Sequence, residues 1–281
     1  MLQQKLARLV KIAEQFSVAF YMTNEVVMGK AQSSRQNKGL QQYRNRGRNH
    51  KQTRRPPIIE LEVDRKPKRR ALIIGVADDL EALKLLREAL ITHLGFVKVG
   101  AQILYSQKPY VKPTKEAIRK KVKFLCKSAR AGDFLWLHIS SHGNPSSPRI
   151  SDSISAYDKK IYVEYWEHVI EMVALGVTLK VSLNTCFAAR FFQGAQQPGG
   201  NKRGEVVVFG ACGKDEFMIT DFYIVVLVSL LDEIEKNKMT NAEFFNRFRK
   251  ERLKYATWLN KDNGGPFLYC SEAMRQANFF D

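Results

Sequence analysis

Short apolar runs alternate along this chain with stretches of helical periodicity, and the order of the two sets the expected fold. Ala71–Val76, Phe134–Ser140, Val177–Leu183 and Glu205–Ala211 are strand-length segments rich in Val, Ile and Leu. Such near-continuous runs read as strands buried on both faces. Val97–Leu104 and Pro266–Cys270 read as two more. From Asp79 to about Leu94 the spacing is helical and closes at Gly95. A second helix opens at Pro113–Thr114, with Thr114 as N-cap and Ile118, Val122 and Leu125 on one face. A third near Val163–Leu175 stops at Gly176, and two follow near Ile219–Asn237 and Asn241–Leu259. Strands alternating with helices predict an α/β fold: a mostly parallel sheet of about six strands, covered by helices on both faces.

Ahead of this pattern the chain differs in character. Leu2, Leu6, Leu9, Ala13 and Phe16 have helical spacing, and Val18–Thr23 is strand-like. Residues 31–57 are polar and basic, closed by Pro56–Pro57, with too little apolar surface to repay chain ordering. The expected organisation is a helix–strand segment at 1–30, a basic disordered linker at 31–66 and a folded domain at 67–281.

Charge sharpens the division. Residues 31–70 carry thirteen Lys/Arg against three Asp/Glu, so +10 of the net +18 sits in forty residues. A solvated linker is one reading of that block, and non-specific contact of residues 31–70 with nucleic acid or another polyanion is the other. Tyr43 is the sole aromatic in residues 31–57, so base-specific recognition is not indicated. The ten-residue apolar run Phe222–Leu231 suits a buried helix and is too short for a bilayer. Lys5, Arg8 and Lys11 interrupt any signal-like core. No membrane role is expected, and the cytoplasm or nucleus is the expected location.

Four cysteines, Cys126, Cys186, Cys212 and Cys270, are scattered without the paired spacing of a zinc site or disulfide framework. Three read as buried small apolar residues. Cys186 stands apart because, like His142, it lies just past the end of a buried strand. Groups beyond the carboxyl ends of neighbouring parallel strands converge on one crevice. There an imidazole can take a thiol proton and the thiolate can attack a carbonyl. His138 lies inside its strand and reads as structural, and His50, His93 and His168 have no motif around them.

Two resemblances follow from these residues. Gln3–Glu14 with Val18–Val26 resembles a short stretch of the ATPase core of RecA-family recombinases. It spans about thirty residues and has no phosphate-binding loop, so it implies no ATPase. The larger one covers roughly residues 68–272. Arg70–Val76, Leu94–Phe96, Pro113–Thr114, Ala131–Asp133, Ser140–Gly143, Ile154 with Asp158, Gly176–Leu179, Asn184–Cys186 and Ala211–Glu216 with Asp221 resemble, in order and spacing, caspase-like cysteine peptidases of the metacaspase and paracaspase kind. The resemblance implies a three-layer α/β/α caspase-like sandwich and hydrolysis of peptide bonds in protein or peptide substrates. By it, Cys186 is the nucleophile and His142 the general base. The N–H groups of Gly143 and Cys186 form the oxyanion hole, and Ser140 helps line the pocket for the residue before the cut. Asn184 stands where the metacaspase branch has an acidic residue that holds a substrate Arg or Lys, with Asp215, Glu216 or Asp221 as acidic substitutes. The acidic positions nearest that family's calcium cluster are Asp152, Asp158 and Glu164, a thin set. No cofactor is required, with calcium as an option and no other metal. Should specificity for cations persist, self-processing is expected in exposed polar segments, at Arg54–Arg55 of the linker or at Lys202–Arg203. The alternative is a catalytically weak or inactive caspase-like scaffold with a basic, polyanion-binding tail.

Overall fold

The computed structural model describes Lys66 and residues 68–76, 80–145, 151–199, 202–215, 222–258 and 265–280. The expected segments 1–30 and 31–66 lie outside them, Lys66 excepted. The strands in chain order are β1 (Arg69–Gly75), β2 (Ala101–Tyr105), β3 (Phe134–Ser140), β4 (Gly143–Asn144), β5 (Ser153–Ser155), β6 (Lys160–Tyr162), β7 (Thr178–Asn184), β8 (Glu205–Gly210) and β9 (Phe267–Tyr269). Six of them form one sheet in the order β2-β1-β3-β7-β8-β9, and β4-β5-β6 form a second, small one. In the large sheet all neighbours are parallel except β8 and β9.

The helices are α1 (Leu80–Leu94), α2 (Lys115–Lys127), α3 (Val163–Glu171), α4 (Tyr223–Asn237), α5 (Asn241–Trp258) and α6 (Glu272–Gln276). The chain steps from β1 outward to β2 through α1, then back across β1 to β3 through α2. With right-handed crossovers, that reversal puts the two helices on opposite faces. α1 packs beside α4 and α4 beside α5, while α2 packs beside α3. The central strands are therefore buried on both sides, and every residue of β3 is buried. Trp136 meets Phe209 edge to face at 5.7 Å, and Tyr223 meets Phe248 at 5.2 Å. Fully burying one such large apolar side chain contributes about 1.5–3 kcal/mol, and this repeated burial fixes the sheet. The buried cation of Lys180 on β7 is held by Asn241 Oδ1 and by the Phe279 ring, 3.8 Å from its ammonium.

The predicted cap holds: Thr114 Oγ1 accepts the Ala117 N–H at 3.2 Å and opens α2. Gly176 has φ +74°, and a Cβ there would press on Ala131, so glycine is needed for the turn into β7. Three expectations are corrected. The strand expected at Val97–Leu104 begins only at Ala101. Lys98–Gly100 form a 3-10 turn in which Val97 and Val99 are exposed without sheet partners. The helix expected to reach Leu175 ends at Glu171. Only half of the expected Lys202–Arg203 cut site is open: Lys202 is exposed, whereas Arg203 is buried and donates to the carbonyls of Gly204, Gln197 and Gly194. No described helix is long and apolar enough to cross a membrane.

Candidate active site

Register places the site. Ser140 at the end of β3 pairs with Asn184 at the end of β7. His142 and Cys186 each lie two residues beyond that pair, on adjacent parallel strands that sit about 4.8 Å apart. The Ser141 N–H still donates to the Asn184 carbonyl at 3.2 Å, which carries the ladder one step past the strand ends. Beyond it the small antiparallel sheet of β4, β5 and β6 takes over. Gly143 pairs with Ile154, and the His142 carbonyl accepts the Ser155 N–H at 2.9 Å. The backbone on both sides of the imidazole is thus fixed while the side chain stays exposed.

Gly143 touches Cys186 directly. A Cβ built on Gly143 would fall on the Cys186 carbonyl, 2.8 Å from its carbon and 3.4 Å from its Cα. Only a glycine after His142 permits this approach. Cys186 is half-buried, whereas Cys126, Cys212 and Cys270 are buried. The next residue, Phe187, has φ 55° and ψ 29°, a left-handed conformation that is rare for a bulky side chain. Such strain costs of order 1–3 kcal/mol and is often found at functional turns. It turns the chain sharply after Cys186 into the 3-10 turn Ala188–Arg190.

A buried thiol and a half-buried hydroxyl brace this turn. Cys212, just past β8, donates its thiol to the Thr185 carbonyl at 3.2 Å. Burial pushes the Cys212 thiol up to about 11, against the pull of the Ala188 and Phe187 N–H groups. The Tyr269 hydroxyl on β9 donates to the Ala189 carbonyl at 2.8 Å. From outside, Arg190 reaches Asp152 at 2.8 Å and Asp215 at 2.6 Å, donates to the Lys214 carbonyl, and lies over the Phe187 ring. It ties three loops together: the one before β5, the one after β7 and the one after β8.

The sequence-predicted pocket residues are placed as follows. Ser140 and Asn184 are fully buried, and the Asn184 amide donates to Ser140 Oγ at 3.0 Å. They form a neutral floor under the strand ends. Asp215 faces the chain's own Arg190; Glu216 and Asp221 lie outside the described residues. Of the acidic set, Asp152 also binds Arg190, and Asp158 accepts the Lys115 N–H at 2.7 Å at the start of α2. Among the described residues no group of three His, Cys, Asp or Glu is placed to hold a metal ion.

His138 is fully buried, with Nδ1 3.0 Å from Ser182 Oγ, which is 3.0 Å from the Tyr223 hydroxyl. Burial holds its pKa down, from 6.5 to about 3. It is a neutral member of a buried polar chain beneath the site, as its position inside the strand predicts. Sequence reasoning missed Arg190 and the bracing of the turn by Cys212. Arg190 lies four residues after Cys186, and its carboxylate partners are 38 and 25 residues away, so no local pattern reveals the pairing.

No protein-family model matches the chain, and no curated protein does. Solved structures do. The fold is similar to that of protein GSU0716 from Geobacter sulfurreducens, at 12% identity and a TM-score of 0.55, covering 76% of this chain and 98% of that one. Caspase-1 from Spodoptera frugiperda is also among the matches, at 11% identity and a TM-score of 0.47, covering 74% and 88%. At 12% identity the first likeness is one of fold.

Proposed function

We propose that this chain is a cysteine-type endopeptidase of the caspase-like, metacaspase-resembling kind. The supporting observation is the register of Ser140 with Asn184, together with the seating of Gly143 on Cys186. In the proposed reaction His142 takes the Cys186 proton and the thiolate attacks the scissile carbonyl. The N–H groups of Gly143 and Cys186 stabilise the oxyanion. His142 then protonates the leaving amine, and a water deprotonated by the same imidazole hydrolyses the thioester. The floor is neutral at Asn184, and Asp215 is engaged by Arg190, so the residue before the cut is neutral rather than Arg or Lys. A buried substrate cation without a countercharge is costly.

The second reading is a non-enzymatic scaffold whose basic residues 31–70 contact polyanions. The full burial of Ser140 and Asn184 favours it, since neither lines an open pocket. A peptidyl acyloxymethyl ketone separates the two. The peptidase reading expects rapid, saturable alkylation of Cys186 that slows strongly in His142→Ala. Labelling no faster than that of a free thiol, in folded protein, supports the scaffold.

A further inference from the structure

The folded domain has its own basic groove at the β2 edge of the sheet, separated from β3 by β1. Residues 80–127 hold eleven Lys/Arg against three Asp/Glu; with residues 31–70 they account for the entire net charge of +18. Those residues are α1, β2 and α2 with their connections, gathered around β2 at the end of the sheet. There a cavity of 520 Å³ lies between Lys84 and Arg87 of α1 and Lys121 of α2, floored by β2 and walled by Tyr110. Its volume falls within the usual range for a ligand pocket.

Two of the three cations, Arg87 and Lys121, are held by neutral acceptors, whereas Lys84 is paired with Glu81. Arg87 donates to the carbonyls of Ala101 at 2.7 Å and Lys98 at 2.8 Å. Lys121 donates to Gln102 Oε1 at 3.0 Å. Among the described residues neither forms an ion pair; Lys84 bonds Glu81, and Glu88 is the carboxylate in the lining. Two cations fixed on neutral acceptors in a concave site focus a positive potential and draw in anions. Tyr110 stands edge to face with Tyr105, ring centroids 6.5 Å apart, which orients an aromatic wall beside them. Lys98, Lys108, Lys120 and Lys123 of the same stretch of chain are also exposed.

We propose that this groove binds single-stranded nucleic acid, with phosphates on Arg87, Lys121 and Lys84 and a base stacked on Tyr110. Cations along a backbone track combined with an aromatic platform are the pattern of sequence-tolerant single-strand binding. An acidic peptide would use the charges but not the ring, and a membrane would need a flat or convex face.

The test uses the full chain and a labelled oligothymidylate, followed by fluorescence anisotropy across a salt series. Lys84→Gln with Lys121→Gln should weaken binding about tenfold at ~0.15 M salt. It should also make the slope of log K against log salt shallower by about 1.4, at roughly 0.7 for each phosphate no longer neutralised. Tyr110→Ala should weaken binding with the slope unchanged, because stacking releases no counterions. Arg87 is left intact because it also ties α1 to β2. Residues 31–70 keep their thirteen Lys/Arg in every variant, so position is read separately. Photocrosslinking of bromodeoxyuridine oligomers to the wild type, mapped by mass spectrometry, should mark the peptide holding Tyr110. Crosslinks confined to residues 31–70 would overturn the proposal. Equal displacement by polyglutamate and by unlabelled oligomer would do the same.

Discussion

Gly143 and Cys186 come from the ends of different strands, yet their backbones touch, and no side chain fits between them. This close approach fixes the turn after His142 against the turn that carries the cysteine. Gly143→Ala should force the two turns apart by a methyl group. A displacement of about 1 Å at reacting groups costs on the order of 100-fold in rate. The expected result is a loss of that size in kcat/KM, with far-ultraviolet circular dichroism preserved. An alanine variant with wild-type kinetics would show that the close approach does not position the dyad.

Asn184→Asp places a carboxylate on the buried floor beside Ser140. Folding should become weaker by about 1–3 kcal/mol, the usual cost of a poorly satisfied buried polar group. Cleavage after Arg or Lys should rise at least tenfold relative to cleavage after neutral residues. Unchanged preference in a peptide competition assay would place the specificity pocket elsewhere.

Thiol reactivity should be confined to one position. Burial pushes Cys126 up to about 12 and Cys212 up to about 11, and raises Cys270 as well. A raised thiol pKa leaves little thiolate at neutral pH, and the thiolate is the nucleophile. Iodoacetamide at mildly alkaline pH should modify Cys186 before the other three, as peptide mapping would read. Equal modification of Cys212 in native protein would contradict its buried setting against Thr185.

His138 should give the fold an acid-sensitive stability. Its folded-state pKa is depressed from 6.5 to about 3, so the unfolded chain binds the extra proton between those values. Stability is therefore highest above 6.5 and falls as pH drops toward 3, by about 1.4 kcal/mol per pH unit at most. Carboxylates add their own losses below about pH 5. Urea unfolding at about pH 7 and about pH 5.5, either side of the unperturbed histidine value, should separate wild type from His138→Gln, the variant losing less stability over that interval. Parallel losses would place the acid response on other groups.

The buried sheet was legible because β1, β3 and β8 read as nearly unbroken apolar runs, while β7 shows strand alternation, with Leu179, Val181 and Leu183 set against Lys180, Ser182 and Asn184. The capped start of α2 and the turn at Gly176 were legible because each rests on a local steric or hydrogen-bonding rule, although the helix before that glycine ends already at Glu171. The small sheet was not: Gly143–Asn144, Ser153–Ser155 and Lys160–Tyr162 are two- or three-residue strands with no period to detect. Val97 and Val99 have strand-like composition but no sheet partner, so propensity misled there. At the site, the positions of His142 and Cys186 past their strand ends could be read from the chain. The engagement of Asp215 by Arg190, the left-handed Phe187 and the burial of Arg203 depend on long-range pairings or turns with no local signature.

The central claim rests on Cys186, and a single comparison tests it. Wild type and Cys186→Ala are incubated with a mixed peptide library, with and without calcium, and cut positions are read by mass spectrometry. The account predicts cuts after neutral residues that vanish in the alanine variant. Folded wild-type protein that makes no Cys186-dependent cut under either condition would contradict it.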